Sequence, residues 1–171
     1  GLVPSFELSQ VRLLDVQGRD ALVLARVLAA VSPKSLWHLG FEQIFIEQPE
    51  LDVRRLPSGR LEVAGLELFS GPSDPEAPSP AMDWLFAQTE LVIRGGQLHW
   101  TDDLQQRPRL TLNNVDLVVR NSGWQHLLRL DASPADDASA RVSLRADMRS
   151  PFLSLHPGRW TDWRGTAYAE L

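Results

Sequence analysis

Four histidines, His38, His99, His126 and His156, are the first residues to test for chemistry. No two of them share the i, i+4 spacing of a helical metal pair, and the chain has no cysteine to complete a zinc site or act as a thiol nucleophile. His99 and His126 sit in strand-like runs beside Trp100 and Trp124, which points to hydrogen-bonded structural imidazoles. The doublets Asp102-Asp103 and Asp136-Asp137 could serve acid/base chemistry or calcium. Adjacent strand residues point to opposite faces, however, so neither doublet converges, and both read as solvated acids at strand ends. Nucleophile elbows, phosphate loops and dinucleotide fingerprints are all missing from the sequence. Gly95-Gly96 lies inside a strand pattern, where a bulge fits better than a phosphate cradle. The expectation is a protein with no catalytic residues, no metal and no cofactor.

Composition narrows the partners. The 171 residues carry 22 acidic and 17 basic side chains, a net charge of -5, without a basic tail or stripe. Nucleic-acid binding needs clustered cations against phosphates and is not expected. The longest apolar stretch, Ala21 to Val31, is interrupted by Arg26 and is too short for the ~20 residues of a membrane-spanning helix. The opening Gly-Leu-Val-Pro-Ser-Phe-Glu-Leu lacks the layout of a signal peptide, so any export signal or anchor is expected outside this segment. The chain is long enough to bury a core as one module over residues 1–171.

The elements that would position any site are mostly strands. From Ala138 through Ala140, Val142, Leu144, Ala146 and Met148, apolar residues alternate with polar ones, giving one dry and one wet face. The runs Leu110, Leu112 and Val115, Leu117, Val119 keep the same period but slip phase at Asn113-Asn114, and Leu61, Val63 and Leu66, Leu68 slip at Gly65. Such slips imply bulges that return the apolar side to one surface and curve the sheet. Turns are expected at Asp15–Gly18, Leu56–Gly59, Asn121–Gly123 and Ser133–Asp137. Ser32-Pro33 and Ser79-Pro80 each place a capping hydroxyl before a first-turn proline, predicting short helices over 33–39 and 80–88. Residues 70–80 are proline-rich and should form an exposed loop. Trp37 and Trp84, on those helices, are expected to plug the end or seam of the sheet.

A shift of 47 positions superposes Ser32 on Ser79, Pro33 on Pro80, Trp37 on Trp84, Ile44 on Leu91, Ile46 on Ile93 and Leu51 on Leu98. The repeated unit is a capped helix, an apolar strand, a kink at Pro49 or Gly95-Gly96, and further strand. Stacked units of this kind bury their faces against one another.

These segments resemble the N-terminal region of the large YhdP-type members of the AsmA-like family, related to TamB. The resemblance rests on Leu-Ser-Gln-Val-Arg-Leu-Leu-Asp-Val-Gln-Gly from Leu8, Phe-Ile-Glu-Gln-Pro-Glu-Leu-Asp-Val from Phe45 and Leu-Val-Ile-Arg-Gly-Gly-Gln-Leu-His-Trp-Thr-Asp from Leu91. It continues with Leu-Thr-Leu-Asn-Asn-Val-Asp-Leu from Leu110 and Trp-Arg-Gly-Thr-Ala-Tyr from Trp163. It implies a curved antiparallel sheet of repeating units around an apolar groove, without a catalytic signature. It also implies a periplasmic location, tethered by an inner-membrane anchor outside this segment, neighbouring repeats of the same parent chain as partners, and a role in moving phospholipid toward the outer membrane.

The fold expectation is therefore mostly β: a curved antiparallel sheet, a repeating groove or open sandwich, with two short helices. Val142, Leu144, Ala146 and Met148, with Leu110, Leu112, Val115, Leu117 and Val119, are the candidate lining for phospholipid acyl chains; ordinary sandwich core is the alternative for each. The rival function is a structural or protein-interaction module with a sealed core. A third, weaker reading is a carbohydrate-binding protein using Asp102 or Asp103 with Trp100 as a sugar platform.

Overall fold

The structure is a computed structural model that describes residues 4–14, 20–31, 41–69, 80–151 and 162–170. Eleven strands form one open, curved sheet. They are β1 (Ser5–Leu14), β2 (Asp20–Ala30), β3 (Gln43–Glu47), β4 (Glu50–Arg55), β5 (Leu61–Val63) and β6 (Leu66–Phe69), followed by β7 (Glu90–Asp102), β8 (Arg107–Ser122), β9 (Gln125–Pro134), β10 (Val142–Arg149) and β11 (Arg164–Glu170). One helix, α1 (Pro80–Ala87), is described, with Pro80 in its first turn as the sequence predicts. The predicted helix over 33–39, the turn at Asp15–Gly18 and the loop over 70–79 lie outside the described residues.

The main path runs β1-β2-β3-β7-β8-β9-β10-β11, and β4, β5 and β6 branch from the second half of β7. The fork has a one-residue cause. Pro49 has no amide donor and cannot continue a ladder, so one extended segment breaks into β3 and β4 around it. On either side of the break Gln48 N donates to Arg94 O at 2.8 Å and Gln97 N to Pro49 O at 2.8 Å, so both halves stay on β7. Both run parallel to β7. All other pairings are antiparallel.

The parallel register matches the internal repeat. Ile44 pairs with Leu91 and Ile46 with Ile93, then Leu51 with Leu98 beyond the break. The similar segments are thus physical neighbours, and the shared apolar pattern is what aligns their dry faces. Phe41 N donates to Gln88 Oε1 at 2.7 Å with the same separation of 47 residues.

The phase slips fall on one line across the sheet. Gln10 (φ 53°), Gln48 (φ 49°), Gly95 (φ 60°) and Asn114 (φ 52°) all adopt positive φ. The first three follow Ser9, Glu47 and Arg94, which with Arg26 make one transverse row. The β8–β9 register shifts between Asn113 and Asp116, as expected for the Asn113-Asn114 slip. Register shifts mark bulges in β7 and β8, and with the break at Gln48-Pro49 they bend and twist the sheet along this seam, whereas β1 keeps its register through Gln10. The slip at Gly65 is different: Ala64 (φ 50°) and Gly65 (φ 73°) form the two-residue turn of the β5–β6 hairpin, not a bulge. Two consecutive positive φ values suit that tight reversal. The run from Ala138 is also shorter than its pattern, because β10 begins at Val142.

Most of the core lies on one face, with Val92 buried on the other. Leu24, Val27, Ile44, Leu91 and Val119 form one buried cluster, backed by Leu85 and Phe86 of α1. Leu112, Val115 and Ala132 form a second, backed by Leu98, Leu130 and Val142. Each fully buried Leu or Ile contributes about 1.5–3 kcal/mol.

Candidate functional site

The nine candidate lining residues come together on a single face. Register pairs carry a row from Ile44 through Leu91, Val119 and Leu128 to Ala146 and Ala167. The next row runs from Ile46 through Ile93, Leu117 and Leu130 to Leu144 and Ala169. Beyond the bulge, Val115 opposes Gly96, Leu112 opposes Leu98, Leu110 opposes Trp100, and Val142 opposes Ala132. Met148 pairs with His126 and Gly165 at the other end. Because the bulge at Asn114 restores the phase, β8 presents apolar side chains on the same surface along both of its halves.

Exposure along this face is graded. Leu112 (8%), Val115 (3%) and Val119 (4%) are buried, Leu110 is 43% exposed, and Leu117, Val142, Leu144, Ala146 and Met148 are half-buried. Phe6 and Leu8 extend the same rows onto edge strand β1 and are exposed. The face is therefore an apolar surface whose floor is packed by its own neighbours and whose margins meet solvent.

One end is closed by an aromatic cluster. His126 stacks on Trp163 with ring centroids 3.9 Å apart, and Phe86 of α1 meets Trp163 edge-on at 4.6 Å and His126 at 5.7 Å. His126 Nδ1 lies 2.8 Å from Asn121 Oδ1, whereas His126 Nε2 and Trp163 Nε1 are buried without a hydrogen-bond partner among the described residues. Burial holds the His126 pKa below its ordinary value. The expected plug is thus present but made by other residues: Trp84 is 48% exposed, while Leu85 and Phe86 pack inward. An eight-residue helix has too few turns for periodicity to reveal its inner side. Trp37 lies outside the described residues. Gln88 ties the end of the helix to the sheet: its Nε2 donates to Trp84 O at 2.6 Å and its backbone carbonyl accepts from Asn121 Nδ2 at 2.7 Å.

The other chemistry-bearing residues hold structure. Asp102 is buried rather than solvated; its Oδ1 accepts from Gln105 N at 2.9 Å and so shapes the β7–β8 turn. Asp103 pairs with Arg54. His99 has both ring nitrogens within hydrogen-bond distance, Nδ1 of Thr111 Oγ1 at 3.0 Å and Nε2 of Glu50 Oε1 at 3.2 Å. Asp137 accepts from Ser139 N and Oγ, which lowers its pKa, and stands in an exposed turn beside Asp136.

On the opposite face, charge replaces hydrocarbon. Arg26 pairs with Glu7 and Glu47, Arg94 with Asp116, Arg120 with Glu90, and Arg129 with Asp131.

An open β-sheet with one largely apolar face and one charged face is the class of protein this geometry defines: a mostly β scaffold with hydrocarbon along a curved surface, part of it covered by α1. None of the described helices is long and apolar enough to cross a membrane. The family model described as YhdP protein matches residues 1–171, and the chain belongs to the YhdP family, a bacterial envelope protein family of the AsmA-like type. No curated relative and no solved structure matches it.

Proposed function

We propose that this chain is a non-catalytic periplasmic module of an AsmA-like envelope protein that offers phospholipid acyl chains an apolar path between the inner and outer membranes. The observation that carries this reading is the unbroken apolar face, six strands wide from β3 to β11, kept in phase by the bulge seam. An acyl chain gains about 0.8 kcal/mol for each methylene it buries, so a continuous strip outperforms scattered patches. Neighbouring repeats of the parent chain would lengthen the strip, and an inner-membrane anchor outside this segment would orient it.

The test is lipid extraction and mass spectrometry on the purified chain, with uptake of a fluorescent fatty acid as a second readout. Co-purified phospholipid, and uptake reduced by Leu144→Gln without loss of the folded circular-dichroism spectrum, is the expected result. Neither phospholipid nor uptake would reject it. The sealed structural module is the second reading, favoured by the burial of Leu112, Val115 and Val119, and that null result would select it.

A further inference from the structure

The charged face carries a second feature that does not depend on the lipid reading. Strands β8–β11 form the floor of a basin of about 720 Å³ whose wall holds five arginines against three aspartates. Its size falls within the ordinary range for small-molecule sites. In a chain of net charge -5, this is a locally positive surface.

Three of the arginines are already engaged: Arg94 by Asp116, Arg120 by Glu90 and Arg129 by Asp131. Arg141 and Arg145 make no hydrogen bond or ion pair with any described residue, yet both line the basin. Arg145 is also the direct register partner of Arg129 on one side and of Tyr168 on the other. Like charges placed directly opposite on neighbouring strands destabilise a sheet, and no carboxylate among the described residues bridges them. Tyr168 is 63% exposed and leaves its phenol available beside Arg145. Val118 and Leu127 leave an apolar patch in the same basin.

From this arrangement we infer that the basin is a binding site for a phosphate mono- or diester, held by Arg141, Arg145 and Tyr168. A planar carboxylate is satisfied by one guanidinium fork, whereas a tetrahedral phosphate turns its non-bridging oxygens, three in a monoester and two in a diester, in different directions and so can engage two forks and a phenol. The apolar patch would receive the carbon adjoining the ester. Both a soluble organophosphate and a lipid headgroup carry this chemistry.

The experiment titrates the full chain with glycerol phosphate, with acetate, and with vesicles of phosphatidylglycerol, following backbone amides of β9–β11 by NMR and vesicle binding by flotation. Saturable shifts with glycerol phosphate and not acetate would identify a soluble ligand. Flotation without small-molecule binding would identify a headgroup, and either supports the site. Arg145→Gln and Arg141→Gln should each weaken binding by about tenfold or more, as for a lost charge-assisted hydrogen bond. Arg107→Gln, outside the basin, should not. Arg145→Gln should also raise the melting temperature, since it removes the Arg129–Arg145 opposition. Equal response to acetate, equal loss from Arg107→Gln, wild-type affinity in Arg145→Gln, or no binding to any probe would each overturn the proposal.

Discussion

Val118 and Val119 are chemically identical neighbours on β8 with different surroundings. Val119 shares a row with Leu91 and Leu128 and is 4% exposed. Val118 shares its row with Val92 and Arg129 and is half-buried on the charged face. The difference teaches where stability resides. At the floor of the first face, as at Val119, hydrocarbon is withdrawn from water and cannot be exchanged for charge, while the ion pairs on the second face are exposed and screened, so their individual worth is small. The second face keeps some buried hydrocarbon of its own at Val92, but the exposed positions around it are open to other chemistry.

The largest expected break in this contrast is Val119→Asp, which buries an unpaired carboxylate and should cost about 4 kcal/mol or more in urea denaturation. Val118→Asp, one residue away and opposite Arg129, should cost about 1 kcal/mol or less. Equal costs would erase the distinction between the faces. Next comes Gly165→Ala in β11. A Cβ there would lie 2.0 Å from Asp147 O and 2.8 Å from Met148 Cα, so β11 must move off β10. A loss of about 1–3 kcal/mol is expected, read as faster hydrogen exchange in β10 and β11 than in β7 and β8.

Smaller effects separate the faces by pH. His126 has a folded pKa below its unfolded value near 6.5, so the unfolded chain binds the extra proton first. Stability should fall as the pH drops below 6.5, by no more than about 1.4 kcal/mol per pH unit for one group, and His126→Phe should abolish that step. Asp131 also has a lowered pKa, chiefly through its bond from Arg129 and further through Ser143. Its contribution is present above 3.8 and is lost only as the pH falls below that value. Denaturation midpoints at pH 7.5, 5.5 and 3.5 in wild type and His126→Phe would resolve the two windows. The smallest effect is expected for Arg26→Gln, whose partners Glu7 and Glu47 are exposed; its midpoint should match wild type at high salt.

Much of this was legible in the chain because strand alternation has an exact period of two. Leu110 to Val119 displayed both its dry face and the slip at Asn113-Asn114, and β8 carries that bulge. Pro49 and Gly95-Gly96 marked the seam through a missing donor and a permissive φ. The 47-residue similarity superposed Ile44 on Leu91, and the sheet makes them register partners. The Gly65 slip misled because a bulge and a two-residue hairpin leave the same mark in sequence: a phase change beside glycine. Asp102 misled because a strand-end acid is usually solvated, and its burial depends on the β7–β8 turn folding back over it. The Trp163–His126–Phe86 plug had no local signal, since its members are far apart in the chain and meet only where α1 crosses the sheet end.

What the amino-acid order determined by itself is local: which residues alternate, where a proline denies a hydrogen bond, and where asparagine or glycine accepts a left-handed backbone. Tertiary structure decided what depends on distance through space. It placed Arg145 across from Arg129, aligned four positive-φ residues into one seam, and set which hydrocarbon is covered. The physical reason is that burial and charge opposition are sums over neighbours from several strands, and only the assembled sheet chooses those neighbours.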